Sequence, residues 1–334
     1  MNHSNSERWL PVSFNFTPTA ASIRWLDFGH KSLSEPFFNH TVQHLRKRIP
    51  SAPERSTALT ALLEAAAPTP NVEPAGVIFH VSRCGSTLLA NVMKTGEECV
   101  VMAEANPLGI LFQPRLFHNS AFQNVNPEEI RKLLLDSVVR LYAAAFGSRL
   151  IIKCHAATIL EIARIRSIWP AVPFLILTRD PVEVIVSNLD KPSGWMRSMY
   201  RSSTDRNLFG LAPTEVRQMT MEEYCAHGLG QFLRAAAEQL DRNCWVMDYA
   251  NLSIPNLYKI SQFFQVSLPT PDSPEFQEAF LAYSKYRSTP EMFRGDRERK
   301  QREAPPSVRS LAEQWAQEPY RRLQKQCSFP LSVL

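Results

Sequence analysis

Residues 76–89 of this 334-residue chain read GVIFHVSRCGSTLL. The apolar run from Gly76 to Val81 is typical of a buried strand, and an amphipathic helix pattern begins at Ser86. Between the two, the chain turns at Gly85 beside small hydroxyl residues. A strand, a glycine turn and a helix in this order present backbone N–H groups and the positive end of a helix dipole to an anion. This stretch therefore predicts an α/β domain with a phosphate-binding turn.

The alternation of strand and helix continues through the middle of the chain. Four further apolar runs predict strands at residues 99–102, 150–153, 174–178 and 244–247, with helical patterns at 127–146, 181–189 and 220–240. Short, wholly apolar strands separated by helices indicate a parallel sheet with helices on both faces.

The domain organisation follows from where this alternation begins. Residues 76–334 are expected to form the α/β domain, with a helical C-terminal part at 266–334. Residues 1–75 are expected to be an N-terminal appendage and linker, in which Ser51 caps a helix that has a glutamate three residues later. The stretch 191–219 shows little periodicity and includes Trp195, Met196 and Tyr200, so it predicts either a cover for a site or an exposed flexible loop.

Composition excludes several classes of protein. The net charge of +5 is mild and the basic residues are spread along the chain, which fits an anionic small molecule better than nucleic acid. No apolar run approaches the 18 residues of a membrane span, and the polar first residues do not resemble a signal peptide. The six cysteines form no C-x-x-C pair, which favours free thiols in a reducing compartment. We therefore expect a cytoplasmic protein.

A second motif follows the strand at 174–178. Arg179, Asp180 and Pro181 stand at its carboxyl end, and Ser187 lies eight residues beyond the arginine. A guanidinium at a strand end offers a planar fork of donors that suits a phosphate. Ser187 falls two turns into the next helix, where its hydroxyl can reach the same group.

Three further residues are candidates for chemistry because they follow strands. Lys153 ends the strand at 150–153 and His155 comes two residues later, while Glu104 follows the strand at 99–102. Histidine titrates near neutral pH and suits a general base. A histidine, lysine or glutamate in this setting can equally be structural or solvated.

Together these motifs resemble those of the sulfotransferases. The stretch 81–88 is similar to their 5′-phosphosulfate loop, 179–187 to their 3′-phosphate motif and 153–155 to the K-T-H element of their cytosolic branch. The resemblance covers about residues 76–265 and implies a P-loop NTPase-like sulfotransferase fold that binds 3′-phosphoadenosine 5′-phosphosulfate (PAPS). The implied cofactor-binding residues are Ser82, Arg83, Cys84, Gly85, Ser86, Thr87, Arg179 and Ser187.

The resemblance also implies an activity. A sulfuryl group would move by in-line displacement from PAPS to the hydroxyl or amine of a small-molecule or metabolite acceptor, with no metal required. Arg83 would stabilise the leaving phosphate, and Lys153 the bridging oxygen or the transferred group. Glu104 stands 21 residues beyond Arg83, as in the tyrosylprotein branch, so Glu104 and His155 are both candidates for the general base. Residues 293–296 are only faintly similar to the family's closing loop.

Two other functions compete with this interpretation. A small-molecule kinase could use the same fold, but the nucleoside-triphosphate motif G-x-x-x-x-G-K-[ST] needs a lysine where Ser86 stands. A catalytically silent nucleotide-binding protein could keep the turn without the chemistry. Retention of Arg83, Arg179 and Ser187 together favours an active enzyme.

Overall fold

The computed structural model describes residues 7–17, 19–48, 54–113, 125–147, 149–200, 208–281 and 296–326. An N-terminal unit, residues 9–66, comprises β1 (Trp9–Phe16), β2 (Ala21–Asp27), α1 (Phe38–Arg48), β3 (Glu54–Thr57) and α2 (Thr60–Ala66). Its three strands form an antiparallel sheet in the order β1-β2-β3.

One local prediction in this unit is wrong. The helix expected to open at Ser51 is absent from residues 54–57, which form β3 and pair with β2 from Leu26 opposite Glu54 to Ile23 opposite Thr57. Ser51 itself lies outside the described residues. A capping pattern is a local signal, whereas the edge of β2 offers unpaired backbone groups that a neighbouring segment satisfies by adding a strand.

The second sheet has five parallel strands, as the sequence predicts. They are β4 (Gly76–His80), β5 (Cys99–Ala103), β6 (Arg149–Lys153), β7 (Phe174–Thr178) and β8 (Cys244–Asp248), in the order β5-β6-β4-β7-β8. Each is within one residue of its predicted bounds, and all but the first residues of β5, β6 and β8 are buried. Burial on both faces explains why these strands are apolar throughout instead of alternating.

Helices flank this sheet, which confirms the predicted α/β class. They are α3 (Ser86–Met93), α4 (Asn106–Leu111), α5 (Pro127–Phe146), α6 (Ile162–Ile168), α7 (Pro181–Asp190), α8 (Pro213–Gln218), α9 (Met221–Ala237), α10 (Ile254–Phe263), α11 (Pro274–Leu281), α12 (Arg297–Glu303), α13 (Pro306–Trp315) and α14 (Gln317–Gln324). Short 3₁₀ helices lie at Ala156–Glu161, Met196–Tyr200 and Tyr249–Asn251. In the part of the chain that the structure describes, no helix is both long and apolar enough to cross a membrane.

The bounds of α5 show how closely local signals set a helix. The Asn126 side chain accepts a hydrogen bond from the Glu128 N–H at 3.0 Å, and Pro127 occupies the first turn. At the other end, Gly147 has a left-handed backbone (φ 60°), which ends the helix after Phe146.

The stretch 191–219 is more ordered than its sequence suggests. It contains a 3₁₀ helix and α8, although residues 201–207 lie outside the described part. Trp195 and Met196 are buried and not presented to solvent, and the Trp195 ring meets that of Phe232 edge to face at 5.1 Å. These two side chains are therefore part of the hydrophobic core.

Chain order creates a crevice at the carboxyl edge of the sheet. The chain leaves β4 towards β5 on one side and leaves β7 towards β8 on the other, although β4 and β7 are neighbours. In open α/β sheets, adjacent strands whose connections diverge leave a cleft at their carboxyl ends, where ligands bind. The turn at 81–85 and Arg179 both lie at this cleft.

Candidate active site

The turn after β4 has a strained backbone. Ser82 and Arg83 have positive φ angles of 71° and 52°, and Gly85 has 78°. Left-handed non-glycine residues are uncommon and concentrate at functional sites. A Cβ on Gly85 would lie 2.9 Å from side-chain atoms of both Tyr249 and Leu252, so no larger residue fits.

Helix α3 begins directly after this turn. Ser86 and Thr87 occupy its first turn and are buried. The first N–H groups of an α-helix have no partner within the helix, so they remain available to a ligand. The turn and the helix end therefore form a cradle whose chemistry suits an anion.

Arg179 lies against this cradle. Its Nη1 donates to the Arg83 carbonyl oxygen at 3.0 Å, and its Nε donates to Glu183 at 2.7 Å. Nη2 donates to the Asp296 carboxylate at 2.5 Å, and the guanidinium lies 4.2 Å from the centre of the Tyr249 ring. Burial lowers the pKa of Arg179, but its hydrogen bonds to Asp296 and Glu183 outweigh this and raise it.

The carboxylate of Asp296 stands where an anionic ligand of Arg179 would bind. Asp296 precedes α12 and also pairs with Lys300. Although burial raises its pKa, the hydrogen bonds from Lys300 and Arg179 lower it below the usual value, so the group is ionised at neutral pH. Residues 293–295 lie outside the described part of the chain.

Ser187 lies on the helix that follows Arg179, at the spacing that the motif predicts. It lies on α7, whose first turn is capped by Asp180 through a hydrogen bond from the Val182 N–H at 3.0 Å. Ser187 is only 6% exposed, and its Oγ has no hydrogen-bond partner among the described residues. A buried hydroxyl without a partner is costly, which points to a ligand atom in the complete site.

A second group of side chains surrounds Glu104. Its carboxylate pairs with the Lys153 ammonium, and its Oε2 lies 3.4 Å from His155 Nδ1. Glu104 has a left-handed backbone (φ 51°), a second point of strain at this edge. Burial raises the Glu104 pKa, but the Lys153 charge and the hydrogen bond from His155 outweigh it and hold the pKa well below its ordinary value. Glu104 is therefore a firmly ionised carboxylate.

His80 joins the two groups of side chains, a role that the sequence analysis did not identify. Its Nδ1 accepts from the Ser82 N–H at 3.2 Å, and its Nε2 donates to the Cys154 carbonyl oxygen at 3.1 Å. Nε2 also lies 3.7 Å from Glu104. Burial, aided by the Lys153 charge, lowers the His80 pKa to about 3, so the ring is neutral.

Cys84 lies in the turn between β4 and α3. Burial raises the pKa of its thiol to about 12, although backbone hydrogen bonds and the charges of Lys153 and Arg179 lower it. Cys84 is fully buried and is not a nucleophile.

The structure thus places the turn at 82–87, Glu104, Lys153, His155 and Arg179 at the carboxyl edge of the sheet, and Ser187 on the helix that follows Arg179. Sequence reasoning missed His80 and Glu183, and it reached Asp296 only through the faint closing-loop similarity at 293–296. For His80, the available signal was a polar residue at the end of an apolar strand. For Glu183, it was a polar residue beside a motif. Among the described residues, no cluster of three or more histidine, cysteine or acidic side chains could hold a metal ion.

Comparisons with known proteins add the following findings. No protein-family model matches the chain, and no curated protein matches it either. A solved sulfotransferase from Alicyclobacillus acidocaldarius is similar at 13% identity and a TM-score of 0.44, covering 78% of this chain and 98% of that one. The sulfotransferase domain from the curacin biosynthetic pathway is similar at 17% identity and a TM-score of 0.39, covering 77% and 98% respectively. Both of these structural neighbours are sulfotransferases.

Proposed function

We propose that this protein is a sulfotransferase that moves the sulfuryl group of PAPS to an acceptor hydroxyl or amine. The observation that carries the proposal is the contact between the two motifs, in which Arg179 donates to the Arg83 carbonyl oxygen at 3.0 Å. A single nucleotide with phosphates at both ends would bridge the two motifs.

The turn and the arginine would hold opposite ends of the donor. The N–H groups at the start of α3 and the side chains of Ser86 and Thr87 would bind the 5′-phosphosulfate, with Arg83 beside them. Arg179 and the Ser187 hydroxyl would bind the 3′-phosphate, which replaces the Asp296 carboxylate. The buried Ser187 Oγ would then gain a hydrogen-bond partner.

Transfer would proceed by in-line displacement. A bond forms between the acceptor oxygen or nitrogen and sulfur, the bond from sulfur to the 5′-phosphate oxygen breaks, and the acceptor proton passes to a base. Negative charge grows on the leaving phosphate, where Arg83 and the helix N-terminus stabilise it. Adenosine 3′,5′-bisphosphate leaves as the second product.

His155 fits the role of the base better than Glu104. The Glu104 carboxylate is paired with Lys153 and its pKa is depressed, so its affinity for a proton is weak. The His155 side chain is 40% exposed and directs Nδ1 towards Glu104, which leaves Nε2 to accept a proton. Glu104 would orient the ring and stabilise the imidazolium, as the acid of a catalytic triad does.

Lys153 would act mainly through Glu104. Its side chain is 1% exposed and its ammonium is paired with that carboxylate. Lys153 would thus keep Glu104 ionised and add positive potential beside the turn, where charge develops on the transferred group.

The test uses donor binding and transfer together. Adenosine 3′,5′-bisphosphate should raise the melting temperature of the purified protein more than ATP with Mg²⁺ does. Labelled PAPS should then transfer sulfate to at least one member of a wide acceptor panel. Stronger stabilisation by ATP with Mg²⁺ would favour the kinase, and donor binding without transfer to any acceptor would favour a silent nucleotide-binding protein.

A further inference from the structure

Residues 35–40 of the N-terminal unit reach the group of side chains around Glu104. Lys94 on α3 donates from Nζ to the Glu35 carbonyl oxygen. Asn39 donates from Nδ2 to Asn106 Oδ1 at 3.1 Å, and Asn106 lies two residues beyond Glu104. The segment is thus tied to the α/β domain at the end of α3 and at the start of α4.

Phe37, in the middle of this segment, lies over Lys153. The Lys153 ammonium is 5.1 Å from the centre of the Phe37 ring, within the range of a cation–π contact. Because the same ammonium is paired with Glu104, the ring lies beside the carboxylate that approaches His155. Phe37 is therefore part of the surroundings of the proposed base.

The neighbouring residues show that Phe37 is not simply part of the core. Phe38 is 2% exposed and packs edge to face on the buried Tyr142 at 5.7 Å, which anchors the start of α1. Phe37 is only partly buried, and its ring meets the partly buried His40 edge to face at 5.2 Å. The anchor fixes the backbone, and one aromatic surface remains accessible beside the site.

Helix α4 links this aromatic surface to the proposed base. Asn106, at its start, contacts Asn39, while a Cβ on Gly109 would lie 3.0 Å from His155 Nε2. The N-terminal segment and His155 therefore both border α4. Phe37 and His155 are therefore near each other across the start of this helix.

We propose that Phe37, with His40 against it, forms a wall of the acceptor site and selects an uncharged acceptor whose nucleophilic hydroxyl is on or beside an aromatic ring. Phe37 offers an apolar ring face for stacking. The Lys153 ammonium is already paired with Glu104, so it adds little attraction for an anionic acceptor. The inference rests on the proposed function, because it assigns the acceptor of that reaction.

The experiment compares Phe37→Ala and Phe37→Tyr with wild type, using 2-naphthol as the ring-bearing probe and glucosamine as the probe without an aromatic ring. Phe37→Ala should raise the KM for 2-naphthol about tenfold, the loss expected for one aromatic contact, with a smaller change in kcat. Phe37→Tyr should keep the wild-type KM. Arg55→Ala is the control, since Arg55, on strand β3 of the same unit, makes a cation–π contact with Trp9 on β1.

Binding of adenosine 3′,5′-bisphosphate distinguishes a wrong assignment of Phe37 from a wrong proposed function. In all variants, the melting-temperature rise with adenosine 3′,5′-bisphosphate should equal that of wild type. If that rise is normal but Phe37→Ala keeps the wild-type KM for 2-naphthol, or if wild type prefers glucosamine, the assignment of Phe37 is wrong and the proposed function stands. If wild type neither binds the bisphosphate nor transfers sulfate, the proposed function fails and the acceptor assignment fails with it.

Discussion

The Arg179 guanidinium donates a hydrogen bond across 3.0 Å to the carbonyl oxygen of Arg83. These residues are 96 positions apart in the chain and end two neighbouring parallel strands. The bond has two consequences for a ligand. It holds the strained turn at Arg83, and it fixes the guanidinium beside that turn.

Arg179→Ala should weaken binding of adenosine 3′,5′-bisphosphate by roughly 30- to 100-fold, because charge-assisted hydrogen bonds to a phosphate are lost. The affinity of Arg179→Lys should lie between those of wild type and Arg179→Ala, since a lysine supplies charge without the planar fork. Isothermal titration measures both. Arg299→Ala is the control, because Arg299 is an exposed arginine on α12 that pairs with Glu303. Equal losses in Arg179→Ala and Arg299→Ala would indicate a general charge effect.

Asp296→Asn should tighten binding of the same bisphosphate by about two- to fivefold, the range expected for one partly exposed charge. The carboxylate competes with a phosphate for Arg179, and the amide keeps its shape without its charge. The melting temperature without ligand should fall slightly, because Arg179 and Lys300 lose an ion-pair partner. Weaker binding in this variant would show that Asp296 helps to hold the nucleotide.

Gly109→Ala should lower kcat about tenfold while leaving donor binding unchanged. The new Cβ would lie 2.9 Å from His155 Cδ2, so the ring must move from its place beside Glu104. Alanine favours a helix over glycine, so the melting temperature should not fall much. Gly194→Ala is the control, since a Cβ there meets nothing within 4 Å. A normal kcat in Gly109→Ala would argue against His155 as the base.

His80 should make the protein less stable as the pH falls. Its folded-state pKa is lowered to about 3 from 6.5, so below pH 6.5 the unfolded chain binds a proton that the folded protein cannot bind. His80 should lower the free energy of unfolding by about 1 kcal/mol between pH 7.5 and 5.5, and by more as the pH approaches 3. Denaturant unfolding of wild type and His80→Asn at both pH values measures the difference.

The expected result is a smaller loss of stability on acidification in His80→Asn, whatever its stability at pH 7.5. His30→Asn replaces an exposed histidine and should follow the wild-type pH dependence. If the stability of His80→Asn depends on pH as that of wild type does, His80 is not the group that stays neutral in the folded protein.

Local patterns predicted most of the α/β domain. The strands are short apolar runs and α5 carries its own start and stop signals, so β7 and α5 fall at the predicted residues. The same patterns failed at residues 54–57, because pairing with β2 depends on a strand that lies about 30 residues earlier. Short-range signals set helix ends well, but they cannot report which distant backbone groups need a partner.

The residues of the candidate site also divide into those that local sequence motifs predict and those that they do not. Arg83, Gly85 and Arg179 stand in motifs with fixed spacing, and that spacing is a property of the chain itself. Phe37 stands in no motif and Asp296 only in a faint one, and their contacts with Lys153 and Arg179 join residues more than 100 positions apart in the chain.

By itself, the amino-acid sequence determined that this protein has a parallel α/β domain and that two spaced motifs, around Gly85 and Arg179, follow two of its strands. Only the tertiary structure decided that these motifs adjoin, and that His80 is a neutral link between the turn and Glu104. The physical reason is strand order. The placement of β4 between β6 and β7 is a property of the whole sheet, settled by backbone pairing and helix packing between distant segments.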